Sequence, residues 1–417
     1  MPSNIKSGVT ILGVTGTIEG GTVIEDTRYK SIVERTITSM DDSTITTIGS
    51  NAFYSFLGLS QVSFDVCTSI GFQAFAYCPT LRNATFGSCE NIGSMAFLNC
   101  STLSFISFPQ CTQIQYSAFS GCSVLANADF PNCSAIEHNA FYNCFKLSTA
   151  NFPSAKFVGS YAFANCSALS TVNLPLCESV FEYAFQSCNS LTHLELPSCS
   201  FVSASAFNQC KTLATVSLPA CSSVNMYAFN SCISLTDIFA PNLISISNYA
   251  FSSCSKLTAV SLPRLSTLGA NAFQGCSSLA TVDLPEVTTV SGSAFYGCSR
   301  LQSAHFPLCG AVFAGAFISC FSLSAVTIAG RSSHSCIYSS AFWKCYHLLN
   351  LTITGSSVAK LAATNAFLST PISTYTTSTG GVNGSIYVPA SLVDAYKSAT
   401  NWAIYASRIT SIPEPTP

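Results

Sequence analysis

The sequence predicts a β-rich solenoid of about 15 coils of 22 residues, and three observations carry that expectation. The dipeptide Ala-Phe begins at Ala52, Ala74, Ala96 and onward to Ala316, thirteen times at an unbroken spacing of 22, then at Ala341 and Ala366 at spacing 25. A fixed period of roughly 20 to 50 residues marks a chain whose units bury their apolar faces only against neighbouring units. Within each unit, apolar residues alternate as at Leu194 and Leu196, the pattern of a short strand with one face inward. A proline then closes that strand in ten successive units, from Pro109 to Pro307. Proline cannot donate to a continuing ladder, so it suits a strand end and fixes the corner.

The elements follow in order along the chain. Residues 1–43 do not repeat. SGVTILGVTGTIEGGT is Gly-rich, alternating and β-prone, and residues 24–43 are expected to cap the first coil, because a solenoid end otherwise exposes its core. The repeat region runs over 44–369. Each unit reads AFxxCxxLxxVxLPxCxxVxxx, in which Leu191, Leu194, Leu196 and Cys199 fit LxxLxLxxC, and a second inward position such as Val180 or Val202 precedes the next Ala-Phe. Parallel strands stacked about 4.8 Å apart would give a rod or shallow arc roughly 70 Å long. GRSSHSCIYSS, before Ala341, reads as an insertion of three residues. Residues 370–417 form a C-terminal cap: a strand, a Pro corner and a helix from about Ser391, with Ser391 to Asp394 matching an acidic capping box. Leu392, Tyr396 and Trp402 are expected to close the open end, and PEPTP to be a loose tail.

The 22 cysteines form two ladders. Thirteen lie four residues after the Ala, from Cys78 to Cys320 at every coil and then Cys345; eight lie at the strand exit, at Cys67, Cys89, Cys111, Cys133, Cys177, Cys199, Cys221 and Cys309. Cys336 lies in the insertion. Other coils fill the exit position with Ala155, Leu243, Leu265 and Val287, so it is a small apolar slot in which free cysteine behaves as a compact hydrophobe. Stacked equivalents point the same way rather than toward each other, and thirteen cannot pair with eight, which favours free thiols over disulfides. No CxxC occurs, and His347 near Cys345 is read as a packing coincidence, so no metal is expected.

Composition narrows function further. The net charge is −2 with 16 Lys and Arg scattered along the chain, which gives no basic stripe for nucleic acid. No apolar run reaches eighteen residues, so membrane insertion is not expected. The N-terminus lacks the basic segment, apolar core and small-residue site of a secretory signal. No G-x-S-x-G, GxxxxGK[ST] or HExxH occurs, and the repeat has few titratable residues for a pocket, so no catalytic residue and no cofactor are expected.

Binding is left to repeated surfaces. Outward strand positions carry Asn127 and Asp129, Thr149 and Asn151, Thr171 and Asn173, His193 and Glu195, Thr215 and Ser217, Asp237 and Phe239, Thr281 and Asp283, Ser303 and His305. Small polar residues of good strand propensity would cover such a sheet for solubility alone. Phe105 and Phe239 do not fit that purpose, since an outward aromatic marks a contact. Beside the Ala-Phe pairs lie Tyr161, Tyr183, Tyr227 and Tyr249, and also Tyr54, Tyr142, Tyr296 and Trp343; in register they would stack on sugars, anchor a protein, or pack over neighbouring coils.

AF-x-x-C followed by L-x-x-V-x-L/I-P resembles the BspA-like leucine-rich repeats over about residues 44–369. The resemblance implies a right-handed solenoid with strands on one face and short strand or turn segments opposite. NIKSGVTILGVTGT is similar to a short N-terminal segment of tail or minor structural proteins in phages and prophages of gut Firmicutes. ERTIT…ITTIGSNAF and IYVPASLVDAYKSATNWAIYASRI resemble flanks that accompany BspA-like repeats in that setting. These likenesses imply a non-enzymatic virion protein, a tail-associated fibre or receptor-binding component made in the host cytoplasm. Its partners would be a host-surface protein or glycan, other virion proteins through residues 1–43, or further copies of itself. The alternative is a cell-surface or secreted adhesin of a gut bacterium.

Overall fold

A computed structural model of the chain describes residues 38–330, 335–373 and 383–414, and ahead of them the backbone of three short strands, Thr10–Ile11, Val14–Thr15 and Thr22–Ile24. The architecture is a parallel-sheet β-solenoid of about 16 turns. It divides into two compact units, Met1–Cys199 and Ser200–Pro417, built from the same coil.

Each coil contributes three stacked segments. The first is a three-residue strand, such as Asn127–Asp129, whose central residue faces the core. The second is a two-residue strand, such as Ala135–Ile136. Both columns are parallel and keep the 22-residue register, as in Asn127↔Thr149 and Ile136↔Val158. The third segment is the Ala-Phe turn. The residues before the Ala and three after it take left-handed backbone conformations, φ 58° at Tyr161 and 63° at Asn165. That geometry turns alternate N–H groups toward the next coil: Tyr161 donates to Glu182 O, Phe163 to Ala184 O and Asn165 to Gln186 O, at 3.0, 2.7 and 2.8 Å. The turn is therefore a third hydrogen-bonded column, which satisfies backbone groups that would otherwise be buried unpaired.

The core is a set of side-chain ladders. In the first unit the Ala-Phe rings stack from Phe53 to Phe75 and onward to Phe185, with centroids 4.9–5.3 Å apart. A second ladder, Phe64, Phe86, Phe108, Phe130 and Phe152, packs against it. In the second unit the rings run from Phe207 to Phe367 and end against the edge of Tyr405, 5.3 Å away.

The boundaries differ in detail from the sequence expectation. Residue 44 falls inside a coil, because Ser39–Asp41 already pairs with Gln61–Ser63 and Thr22–Ile24 with Ile45–Ile48. Of the expected N-terminal cap, residues 25–37 lie outside the described residues. The insertion sits where the repeat stretches: Phe306↔Ile328 keeps the 22-residue register, whereas Val312 pairs with Ile337, and a bulge follows at Ser335–Ile337. At the C-terminus the strand Ser385–Val388 joins the ladder beside Asn350–Ile353.

The expected capping box does not form. A 3-10 turn, Ala390–Leu392, precedes the helix Val393–Ser398, so Ser391 lies within helical backbone and the N-cap is Leu392 without a side-chain bond. Closure comes from elsewhere. Trp402 Nε1 donates to Ala359 O (2.6 Å), Asn401 Nδ2 to Leu361 O (2.8 Å) and Tyr405 Oη to Thr364 O, while Tyr396 Oη accepts from Ala359 N (2.8 Å). Tyr396, Trp402 and Tyr405 are buried, whereas Leu392 is only half-buried.

Candidate binding surfaces

The cysteines are structural. All 22 are free and buried. Those of the first ladder donate to the carbonyl of the Ala-Phe ring residue one coil back, as Cys122 Sγ does to Phe97 O and Cys144 Sγ to Phe119 O, both at 3.2 Å. Phe97 O also accepts the Cys100 N–H, so the thiol fills its second lone pair. Those of the exit ladder donate two residues onward, as Cys133 Sγ does to Ala135 O at 3.0 Å. Ala155, Leu243, Leu265 and Val287 are fully buried in the same slot, as its shared occupancy predicts. Burial pushes Cys133 up to about 11 and Cys89, Cys177 and Cys276 up to about 12, so these groups stay protonated at neutral pH. The thiolate is the nucleophile and the metal ligand, and these sites do not supply it. Among the described residues no three His, Cys, Asp or Glu side chains converge as a metal site requires.

On the strand face of the first unit, Phe105, Asn127, Asp129, His193 and Glu195 are all exposed. Phe105 is 55% exposed, makes no ring contact among the described residues, and lies between two depressions. One, about 520 Å³, is lined by Met40, Asp41, Gln61, Val62, Asn83 and Thr85 among others. The other, about 270 Å³, lies toward Ser107, Asn127 and Asp129. It coincides with an interruption in the strand column: Phe105–Ser107 ends a four-stranded sheet, and Asn127–Asp129 begins a separate three-stranded one. Ile106 is half-exposed there, while its counterparts Ala84 and Ala128 are buried.

Beyond the interruption the outward residues pair with one another. Thr149 Oγ1 donates to Asn127 Oδ1, Asn151 Nδ2 to Asp129 Oδ1 and Asn173 Nδ2 to Asn151 Oδ1, each at 2.7 Å. Among the described residues that leaves the Asn127 amide N–H groups and the second Asp129 carboxylate oxygen unpaired, a donor and an acceptor on two residues that line the smaller depression.

In the second unit, Asp237, Phe239, Asp283 and His305 are exposed on the equivalent face, Phe239 by 55%. Asp237–Phe239 also borders an interruption, since Ala259–Ser261 begins another sheet. Neither of the two depressions beside Phe105 includes any of these four residues.

The tyrosines behave differently. Tyr161 and Tyr183 stack 4.7 Å apart, and Tyr227 and Tyr249 stack 4.9 Å apart, each pair across successive coils. Tyr142 meets Tyr161 edge-on at 6.4 Å. Their facing ring surfaces are therefore used by one another, which favours the packing role over sugar stacking. Beside them His138, Ser160 and Glu182 form a row that sequence reasoning did not connect. Ser160 N donates to His138 Nδ1 (3.0 Å) and Ser160 Oγ to Glu182 Oε2 (2.9 Å). This order does not make a nucleophile, because the hydroxyl is held by the carboxylate and not by the imidazole that would deprotonate it. Its signal was the 22-residue spacing of the three residues, which places them side by side.

The model of the BspA type leucine rich repeat region matches residues 22–148, 134–257, 222–349 and 266–382. Among solved structures, a leucine-rich repeat protein from Bacteroides ovatus is 21% identical, with 90% of this chain and 92% of that one covered and a TM-score of 0.55. A leucine rich cell surface protein from Faecalibacterium prausnitzii is 22% identical, covering 76% and 87%, with a TM-score of 0.42. A leucine-rich repeat protein from Eubacterium ventriosum is 20% identical, covering 88% and 93%, with a TM-score of 0.37. No curated protein matches the chain. With its coil, its ladders and a family model spanning most of its length in agreement, the chain belongs to the BspA-type leucine-rich repeat family.

Proposed function

We propose that this chain is a non-enzymatic recognition protein that binds its target on the strand face of the first unit and is carried on a phage particle as a tail-associated component. The observation that supports the binding face is Phe105: a lone exposed ring, flanked by two depressions, on a surface otherwise covered by small polar residues. An exposed aromatic in a polar surround is the composition of a contact residue, and the rest of the face supplies complementarity. The virion setting is supported by the likeness of NIKSGVTILGVTGT and of the Ile386–Ile409 stretch to flanks found in phage structural proteins. In this reading residues 1–43 attach the chain to the particle.

Immunogold electron microscopy of a lysate of the source culture, with antibody against the repeats, tests the setting. Gold on phage tails, lost when residues 1–43 are deleted, is the expected result. Gold on cell envelopes beside bare particles would assign the chain to a bacterial surface instead and leave the binding face to be judged by itself.

A further inference from the structure

We propose that Phe105 and the two depressions beside it form a site for a neutral oligosaccharide, with one sugar on the ring and its neighbours on either side. This rests on the reading of the first unit's strand face as the recognition surface, and it names the ligand class.

The ring is the first element. Phe105 has no aromatic neighbour on its face among the described residues, unlike the paired tyrosines at the turns, so a ring surface is open to solvent. The face of an aromatic ring carries negative quadrupole charge, which suits the weakly positive C–H side of a pyranose.

The polar lining is the second. Asp41, Gln61 and Asn83 make no side-chain hydrogen bonds among the described residues and line the larger depression. Asn127 and Asp129 line the smaller one with a donor and an acceptor left over from their own ladder. A sugar hydroxyl donates and accepts at once, so such mixed amide and carboxylate pairs satisfy it.

Charge is the third. The lining residues include two carboxylates, Asp41 and Asp129, and no Lys or Arg. A sialylated, uronic or phosphorylated ligand would meet like charge and find no cation, whereas an uncharged sugar meets no penalty. The volumes, about 520 and 270 Å³, lie in or just below the usual range for small-ligand sites of about 300–1,000 Å³.

The test uses the full chain on immobilised short oligomers of glucose, galactose, mannose, rhamnose and N-acetylglucosamine, beside sialylated and uronic-acid counterparts of equal length. We expect at least one neutral oligomer to bind, and every anionic counterpart to bind at least about tenfold more weakly. Phe105→Leu should weaken the neutral interaction at least about tenfold, whereas Phe105→Tyr should hold it within about threefold, because the ring and not mere apolarity is required. Unchanged thermal unfolding of both variants would show that the fold is intact. Binding by no neutral oligomer, full binding by Phe105→Leu, or preference for the anionic set would overturn the assignment. If the oligomers fail while labelled chain still binds cells in a Phe105-dependent way, the sugar assignment falls and the recognition face stands. Cell binding indifferent to Phe105 would remove both.

Discussion

At the scale of single residues, the cysteine shows how much one position is asked to do. In the first ladder its slot is small, apolar and next to a carbonyl with a spare lone pair, so Ala there leaves a void and an unused acceptor. Cys144→Ala should cost about 1–2 kcal/mol, from the lost contacts and the lost bond to Phe119 O, read as a lower urea midpoint at constant slope. The same burial fixes the response to alkali. Folded pKa values of about 11 to 12 at Cys133, Cys89, Cys177 and Cys276 stand above the ordinary thiol value of 9.0. The unfolded chain therefore loses protons first. Stability is complete below about pH 8 and declines as pH rises from about 9 toward 12, by about 1.4 kcal/mol per unit for each thiol ionised only in the unfolded state. Melting curves between those limits should show a steep fall; a flat profile would contradict buried, protonated thiols. The exit slot was legible in the sequence because Cys alternates there with Ala, Leu and Val. The acceptor of the first ladder's thiols was not, because it belongs to a turn whose conformation the sequence did not disclose.

At the scale of elements, the Ala-Phe turn carries the main surprise. Two left-handed residues per coil are costly for side chains other than Gly, about 1–2 kcal/mol each, and the inter-coil bonds they make possible offset that cost. Gly121, Gly275 and Gly297 already occupy the later of the two positions. Gln209 sits there with φ 61°, exposed. Gln209→Gly should raise stability by about 0.5–1 kcal/mol and Gln209→Val should lower it by about 1–2 kcal/mol, both by chemical denaturation. The frequent Asn, Ser and Gly at these positions was a signal of left-handed backbone that the period alone did not bring out. The C-terminal cap was legible in its aromatics but not in its turn. Tyr396 and Trp402 close the end as expected, yet the helix starts two residues late and Tyr405 joins them, because a 3-10 turn after Pro389 sets the entry angle. Trp402→Ala should cost about 3–5 kcal/mol and raise hydrogen exchange first in the coil of Phe367, against which the indole packs.

At the scale of the molecule, a 22-residue rule of side chains produced a solenoid whose fold could be read before any coordinate, since each coil repeats one solution to burying an apolar face. The column of strands is interrupted beside both outward aromatics, Phe105 and Phe239; the smaller depression lies at the first of these breaks, and the larger one on the continuous four-stranded sheet that ends at Phe105. The sequence named both rings by their misfit with the polar ladder, but not the interruptions, because Ile106 and Ile238 satisfy the inward pattern as well as any neighbour. It also proposed the tyrosines, which the structure pairs face to face. In the proposed reading, recognition lies at Phe105 and not at the turn edge. Cells that bind the labelled full chain should be titrated in parallel with wild type, Phe105→Ala and Tyr183→Ala, all three checked for equal thermal unfolding. A loss of at least about tenfold is expected for Phe105→Ala, as for a central aromatic anchor, and near-wild-type binding for Tyr183→Ala. Undiminished binding by Phe105→Ala with loss in Tyr183→Ala would contradict it and move the recognition surface to the turns.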